Sequence, residues 1–159
     1  MLGSGGYFNG SYHMAFSFLS GRRIDGIRTG LQTPASRAVL ALFFTVAGTL
    51  HFIYPNAYIG VMPPWLGWHA ALVFISGVAE VAGGVGVLQA LTRRWAGWGL
   101  LALCVAVLPA NLQMLIDALA AARPAWIIAL LVVRLPLQLL LMWWIWLATH
   151  ATTADLTRP

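Results

Sequence analysis

The segment AWIIALLVVRLPLQLLLMWWIWLA, residues 125–148, decides the fold of this chain. It is long enough to cross a bilayer, because a spanning helix takes about 20 predominantly apolar residues. Three more apolar segments of near-spanning length precede it, at about residues 37–54, 69–91 and 95–114. The sequence therefore predicts an all-α, integral membrane protein with four transmembrane helices.

The composition of the chain supports the same conclusion. Of 159 residues, 60% are hydrophobic and 8% are charged, and so few polar side chains cannot cover a soluble domain of this length. The net charge is +5, but the arginines lie at helix ends and in the N-terminal tail rather than in one basic stripe. This distribution indicates membrane topology and argues against nucleic-acid binding. The single cysteine, Cys104, lies in an apolar run, and one cysteine cannot form an intramolecular disulfide.

Three parts of the chain differ in composition. Residues 37–150 form the four-helix domain, and residues 151–159 form a short C-terminal tail. Residues 1–36 are rich in Gly and Ser, with scattered aromatic residues and no helical period. Because this tail cannot form a core of its own, we expect it to lie against another protein chain or the membrane surface.

Short links between the apolar segments predict an up-down bundle of antiparallel helices. The positive-inside rule then orients the bundle, since one side receives only Arg123. The other side receives seven arginines, namely Arg22, Arg23, Arg28, Arg37, Arg93, Arg94 and Arg158. We expect both termini in the cytoplasm and a multi-pass protein of the bacterial inner membrane.

Five polar side chains interrupt the apolar segments at similar depths. At about 1.5 Å of rise per residue, all five fall in the middle or outer half of the bilayer, and they are His51, Glu80, Asn111, Arg134 and Gln138. Intramembrane polar groups are costly and usually face the bundle interior. With Trp65 from the uncharged loop at residues 55–68, they form the predicted ligand pocket in the outward half of the bundle.

Glu80 is the most informative of these residues. Arg134 is the only basic side chain at a similar depth, so we expect the two to form a buried ion pair. The pair would fix the second helix against the fourth, take part in ligand binding or proton handling, or do both. His51 either makes an interhelical hydrogen bond or acts as an acid, base or ligand contact. No metal site is predicted, because only His51 and Glu80 are placed to meet.

Two prolines lie beside the predicted pocket. Asn111 follows Pro109 by two residues, and Pro136 follows Arg134 by two residues. Each proline frees a backbone carbonyl one turn earlier, which is tolerated at membrane depth where the backbone is buried in protein or lines a cavity. The alternative is a pair of kinks that only shape helix packing.

Several short motifs follow one another in the chain: Ala47-Gly48-Thr49-Leu50-His51-Phe52, Met62-Pro63-Pro64-Trp65-Leu66, Ser76-Gly77-Val78-Ala79-Glu80 and Pro109-Ala110-Asn111. In this order they resemble DoxX-like bacterial membrane proteins, over about residues 37–147. The resemblance implies a four-helix inner-membrane protein, in a family linked to membrane oxidoreductase assemblies such as thiosulfate-to-quinone oxidation and to redox homeostasis. A more distant likeness to the EXPERA group of sterol-binding and sterol-isomerising proteins implies a hydrophobic ligand.

Three functions are compatible with these observations. The small number of catalytic groups and the unusual N-terminal tail favour a noncatalytic subunit or accessory protein. Its partners would be other membrane subunits of a larger complex, which in some of the proteins it resembles is a redox complex. The second hypothesis is a binder of a quinone, lipid or isoprenoid in the predicted pocket. The third is a small enzyme that uses Glu80 and His51 as acid and base on such a ligand.

Overall fold

The computed structural model describes residues 30–150, and within this range the fold is all-helical. The helices are α1 (Pro34–Ile53), α2 (Pro55–Ile59), α3 (His69–Leu88), α4 (Arg93–Ala120) and α5 (Ala125–Thr149). All of these except the short α2 are long and apolar enough to cross a membrane. The predicted all-α fold and its four long apolar helices are therefore confirmed. The predicted contact of the N-terminal tail falls almost entirely outside the described residues.

The helix bounds differ from prediction mainly in α4. The apolar pattern predicted residues 95–114, whereas the helix runs from Arg93 to Ala120 and contains Pro109. Its last turns hold a polar pair four residues apart, in which Gln113 Nε2 donates to Asp117 Oδ1 at 2.8 Å. The helix is about 42 Å long at 1.5 Å per residue. It therefore exceeds the hydrocarbon core of about 30 Å.

Helices α1 and α3 pack backbone to backbone. A Cβ atom added at Gly48 would lie 2.6 Å from the Gly77 carbonyl oxygen, and one added at Gly84 would lie 2.9 Å from the Ala41 carbonyl oxygen. Only residues without a side chain allow helices this close. The pairing of an early residue of α1 with a late residue of α3 shows that these two helices are antiparallel.

The remaining helices continue around the bundle in chain order. Helix α4 packs against α3 where Gly83 meets Leu100, and α5 packs against α4 where Gly97 meets Thr149. Both pairs of helices are antiparallel. We call the end of the bundle where α1 begins and α5 ends the tail end, and the opposite end the loop end.

Helices α1 and α5 make few contacts with each other. The hydrogen bonds that join them lie at the tail end. Arg37 Nε donates to the Ala148 carbonyl oxygen at 3.0 Å, and Trp144 Nε1 donates to Ser36 Oγ at 2.7 Å. The main buried cluster lies in the same half, and consists of Leu40, Phe44, Val87, Leu100, Cys104, Ile145 and Ala148. In contrast, no residue of α5 before Gln138 is buried. The buried core is therefore concentrated at the tail end, whereas residues 125–137 of α5 are at most half-buried. We call this less covered face beside α5 the loop-end opening.

Candidate ligand-binding site

His51 and Glu80 form the first of two polar pairs inside the bundle. His51 is buried on α1, and its Nδ1 lies 3.1 Å from the Val73 carbonyl oxygen on α3. Because a carbonyl oxygen only accepts hydrogen bonds, Nδ1 must carry a hydrogen. The other ring nitrogen, Nε2, lies 3.6 Å from Glu80 Oε1.

This geometry requires a proton between the two side chains. With Nδ1 protonated, a neutral imidazole would point the lone pair of Nε2 at an ionised carboxylate, and that contact is repulsive in a low-dielectric interior. One proton, held by either His51 Nε2 or Glu80 Oε1, makes the contact attractive. Either placement gives a pair with no net charge.

The second oxygen of Glu80 has no protein partner. Oε2 is buried, and among residues 30–150 no donor reaches it. A buried polar atom without a hydrogen bond costs about 1–3 kcal/mol or more. Such an atom calls for an explanation beyond packing.

Tyr58 of α2 covers this pair from the loop end. Its ring stacks on the His51 ring, with centroids 3.8 Å apart and planes tilted by 37°. Burial raises the pKa of the Tyr58 phenol, the Glu80 charge raises it further, and the Arg134 charge lowers it. The charges of Glu80 and Arg134 therefore act on this phenol in opposite directions.

Asn111 and Gln138 form the second polar pair and join α4 to α5. Asn111 Nδ2 donates to Gln138 Oε1, and Gln138 Nε2 donates to the Cys104 carbonyl oxygen at 2.6 Å. Both side chains are buried. Cys104 precedes Val105, whose carbonyl loses its helical donor because Pro109 has no N–H. Polar side chains and interrupted backbone therefore coincide, as the positions of the prolines indicated.

The predicted ion pair between Glu80 and Arg134 is wrong. Glu80 faces His51, and Arg134 is exposed and makes no ion pair within the described part of the chain. Arg134 lies one turn before Gln138 and so close to the same face of α5. Gln138 is only 9% exposed. This side of α5 is therefore buried at Gln138 and exposed at Arg134.

Trp65 is not part of the polar pairs. It lies in the loop between α2 and α3, and its side chain is 69% exposed.

A separate open groove runs over the outer surface between α3 and α4, and it contains none of the predicted site residues. Its lining includes Ala79, Ala82, Gly86, Trp95 and Gly99.

Tyr58 and the Val73 carbonyl are the site groups that sequence reasoning missed. Val73 contributes a backbone atom, which leaves no trace in residue type. Tyr58 left no signal in the sequence either, because His51 and Tyr58 lie in different helices and the period of a single helix does not relate them.

Comparison with known proteins places the chain in a family. A family model described as a domain of unknown function (DUF8561) matches residues 40–149. This range includes both polar pairs, Tyr58 and Arg134. No curated protein and no solved structure matches the chain.

Proposed function

The chain belongs to the family of the domain of unknown function DUF8561, and we propose that it binds a lipid-soluble amphiphile in the loop-end opening beside α5. One observation carries the proposal. The inward face of α5 passes from buried at Gln138 to exposed at Arg134, at the depth of the polar pairs. We infer that a ligand approaches the polar pairs from the lipid along this face of α5.

The chemistry of the opening suits an amphiphile with a short polar head. Tyr58, Arg134 and the Glu80 pair offer polar contacts, whereas the outer half of α5 is otherwise apolar up to Trp126. Ligand sites combine a mostly apolar lining with a few converging polar groups. Non-helical or polar features at membrane depth are tolerated where they line a cavity. Quinones, lipids and isoprenoids all have this combination of a polar head and an apolar body.

The other two hypotheses stay predictions. An accessory role in a larger membrane complex was based largely on the N-terminal tail, most of which lies outside the described residues. Acid–base catalysis by His51 and Glu80 needs a bound substrate to be defined. We also propose, from the arginine distribution and the DoxX resemblance, that the tail end faces the cytoplasm of a bacterial inner membrane.

A photoreactive amphiphile tests the proposed binding. The protein in lipid nanodiscs is labelled with a diazirine-bearing long-chain lipid, and the labelled peptides are identified by mass spectrometry. We expect saturable labelling of the outer half of α5 and of Tyr58. Leu131→Trp fills the half-buried inward face two turns before Gln138 and should reduce this labelling severalfold.

Leu140→Trp is the matched control for that substitution. Leu140 is 55% exposed and lies on the opposite, lipid-facing side of α5, so the added ring stays outside the opening. Its labelling should equal that of the wild type. Non-saturable labelling of all lipid-facing helices alike, unchanged by Leu131→Trp, would contradict the proposal.

A further inference from the structure

We propose that the amphiphile bound beside α5 carries an anionic head group, a carboxylate or a phosphate, that pairs with Arg134. This inference rests on the proposed function and adds the charge of the ligand. It follows from the depth of Arg134, from the absence of a counter-charge in the described chain, and from the neutrality of the His51–Glu80 pair.

Arg134 lies near the middle of the membrane-spanning part of α5. It lies ten positions after Pro124, the N-cap of the helix, and ten positions before Trp144 near the end, which is about 15 Å in each direction. Trp143, Trp144 and Trp146 are the expected anchor at one membrane interface. Snorkelling serves arginines near helix ends, and Arg134 is far from both.

No acid of the described chain neutralises Arg134. Residues 30–150 contain two acids, Glu80 and Asp117. Glu80 already forms a neutral pair with His51 at 3.6 Å. Asp117 accepts a hydrogen bond from Gln113 near the loop end of α4 and forms no ion pair within this range. The opening therefore has a net positive charge at mid-depth.

An anionic head group satisfies this charge. A guanidinium binds carboxylate and phosphate through two parallel N–H···O bonds, and it is the side chain best suited to these ions. The alkyl or isoprenoid chain of the ligand would lie along apolar residues such as Leu131 and Ile128. A quinone or an alcohol could occupy the same opening, but its neutral head would leave the guanidinium unpaired in a low-dielectric medium.

Two pairs of probes, each with the same chain but a charged or a neutral head group, test whether binding requires the charge. Saturable binding to the protein in phosphatidylcholine nanodiscs is measured for palmitate against methyl palmitate, and for farnesyl phosphate against farnesol. We expect at least one charged probe to bind ten times or more tighter than its neutral partner. Whichever probe does so identifies the head group as carboxylate or phosphate.

Three variants assign that preference to Arg134. Arg134→Gln should abolish the difference between the charged and neutral probes, whereas Arg134→Lys should retain part of it. Arg94→Gln, an exposed arginine in the first turn of α4 at the tail end, should leave all four affinities unchanged. Far-UV circular dichroism and the unfolding midpoint confirm that each variant is folded.

The outcomes separate this inference from the proposed function. Equal binding of charged and neutral probes, or a preference that survives Arg134→Gln, overturns the anionic ligand and leaves the proposed site standing. If none of the four probes binds, both proposals fail. A membrane protein that copurifies with the wild type and is lost with Arg134→Gln, without lipid binding, would show instead that an acid of another chain pairs with Arg134.

Discussion

Gly48→Ala should separate α1 from α3 and destabilise the bundle. The new Cβ would lie 2.6 Å from the Gly77 carbonyl oxygen, 2.8 Å from Glu80 Cβ and 2.9 Å from Val81 Cγ2. Two of these neighbours are backbone or Cβ atoms, which move only with their helix. Overpacking of this kind costs about 1–3 kcal/mol. The higher helix propensity of alanine offsets up to about 1 kcal/mol, so we expect a net loss of about 1–2 kcal/mol.

Gly99→Ala is the matched control, since it makes the same chemical change in the second turn of α4. Nothing lies within 4 Å of its added Cβ. Only the propensity gain applies, and we expect a stabilisation of about 0.5–1 kcal/mol. The two variants should therefore differ by roughly 2 kcal/mol, measured by denaturant unfolding in detergent with circular dichroism as the signal. If both variants gain stability equally, α1 and α3 are not packed through Gly48.

Three further outcomes are expected. Asn111→Ala and Gln138→Ala should show a coupling of about 0.6–1.7 kcal/mol in a double-mutant cycle of unfolding free energies, and strict additivity would rule out the buried amide contact. Burial lowers the pKa of His150, which stacks on Trp146; its neutral form is favoured in the fold, so the contribution to stability is present above about pH 6.5 and is lost as the pH falls. Thermal unfolding of His150→Phe should therefore depend less on pH in this window than unfolding of the wild type. A cysteine introduced at Trp65 should react with a membrane-impermeant thiol reagent from the periplasmic side, and labelling from the cytoplasmic side alone would reverse the proposed orientation.

Much of the fold could be predicted from the sequence, because hydrophobic length is a property of consecutive residues. The extent of α4 could not, since Pro109 and the polar residues after it are typical of a helix end in water. Within a membrane, neighbouring helices and polar side chains satisfy the backbone groups that a proline frees. In α4, a donor from Gln138 lies beside that interruption.

Counting residues along the helices predicted which polar residues lie at similar levels, but not where each side chain points. Counting residues placed His51, Glu80, Asn111 and Gln138 at compatible levels, and the structure brings them together as two pairs. Counting also placed Arg134 near Glu80. It could not show that Arg134 is exposed on this side of α5, because exposure depends on the angles at which the helices cross. The predicted ion pair was therefore wrong.

Pro136 lies between the last exposed and the first buried residue of the inward face of α5. The part of the helix that follows it carries the packing, and the part that precedes it contributes little to the buried core. If the proposed site is correct, stability and ligand recognition depend on different halves of one helix. Substitutions at residues 125–135 should therefore alter the proposed ligand preference while the fold stays the same.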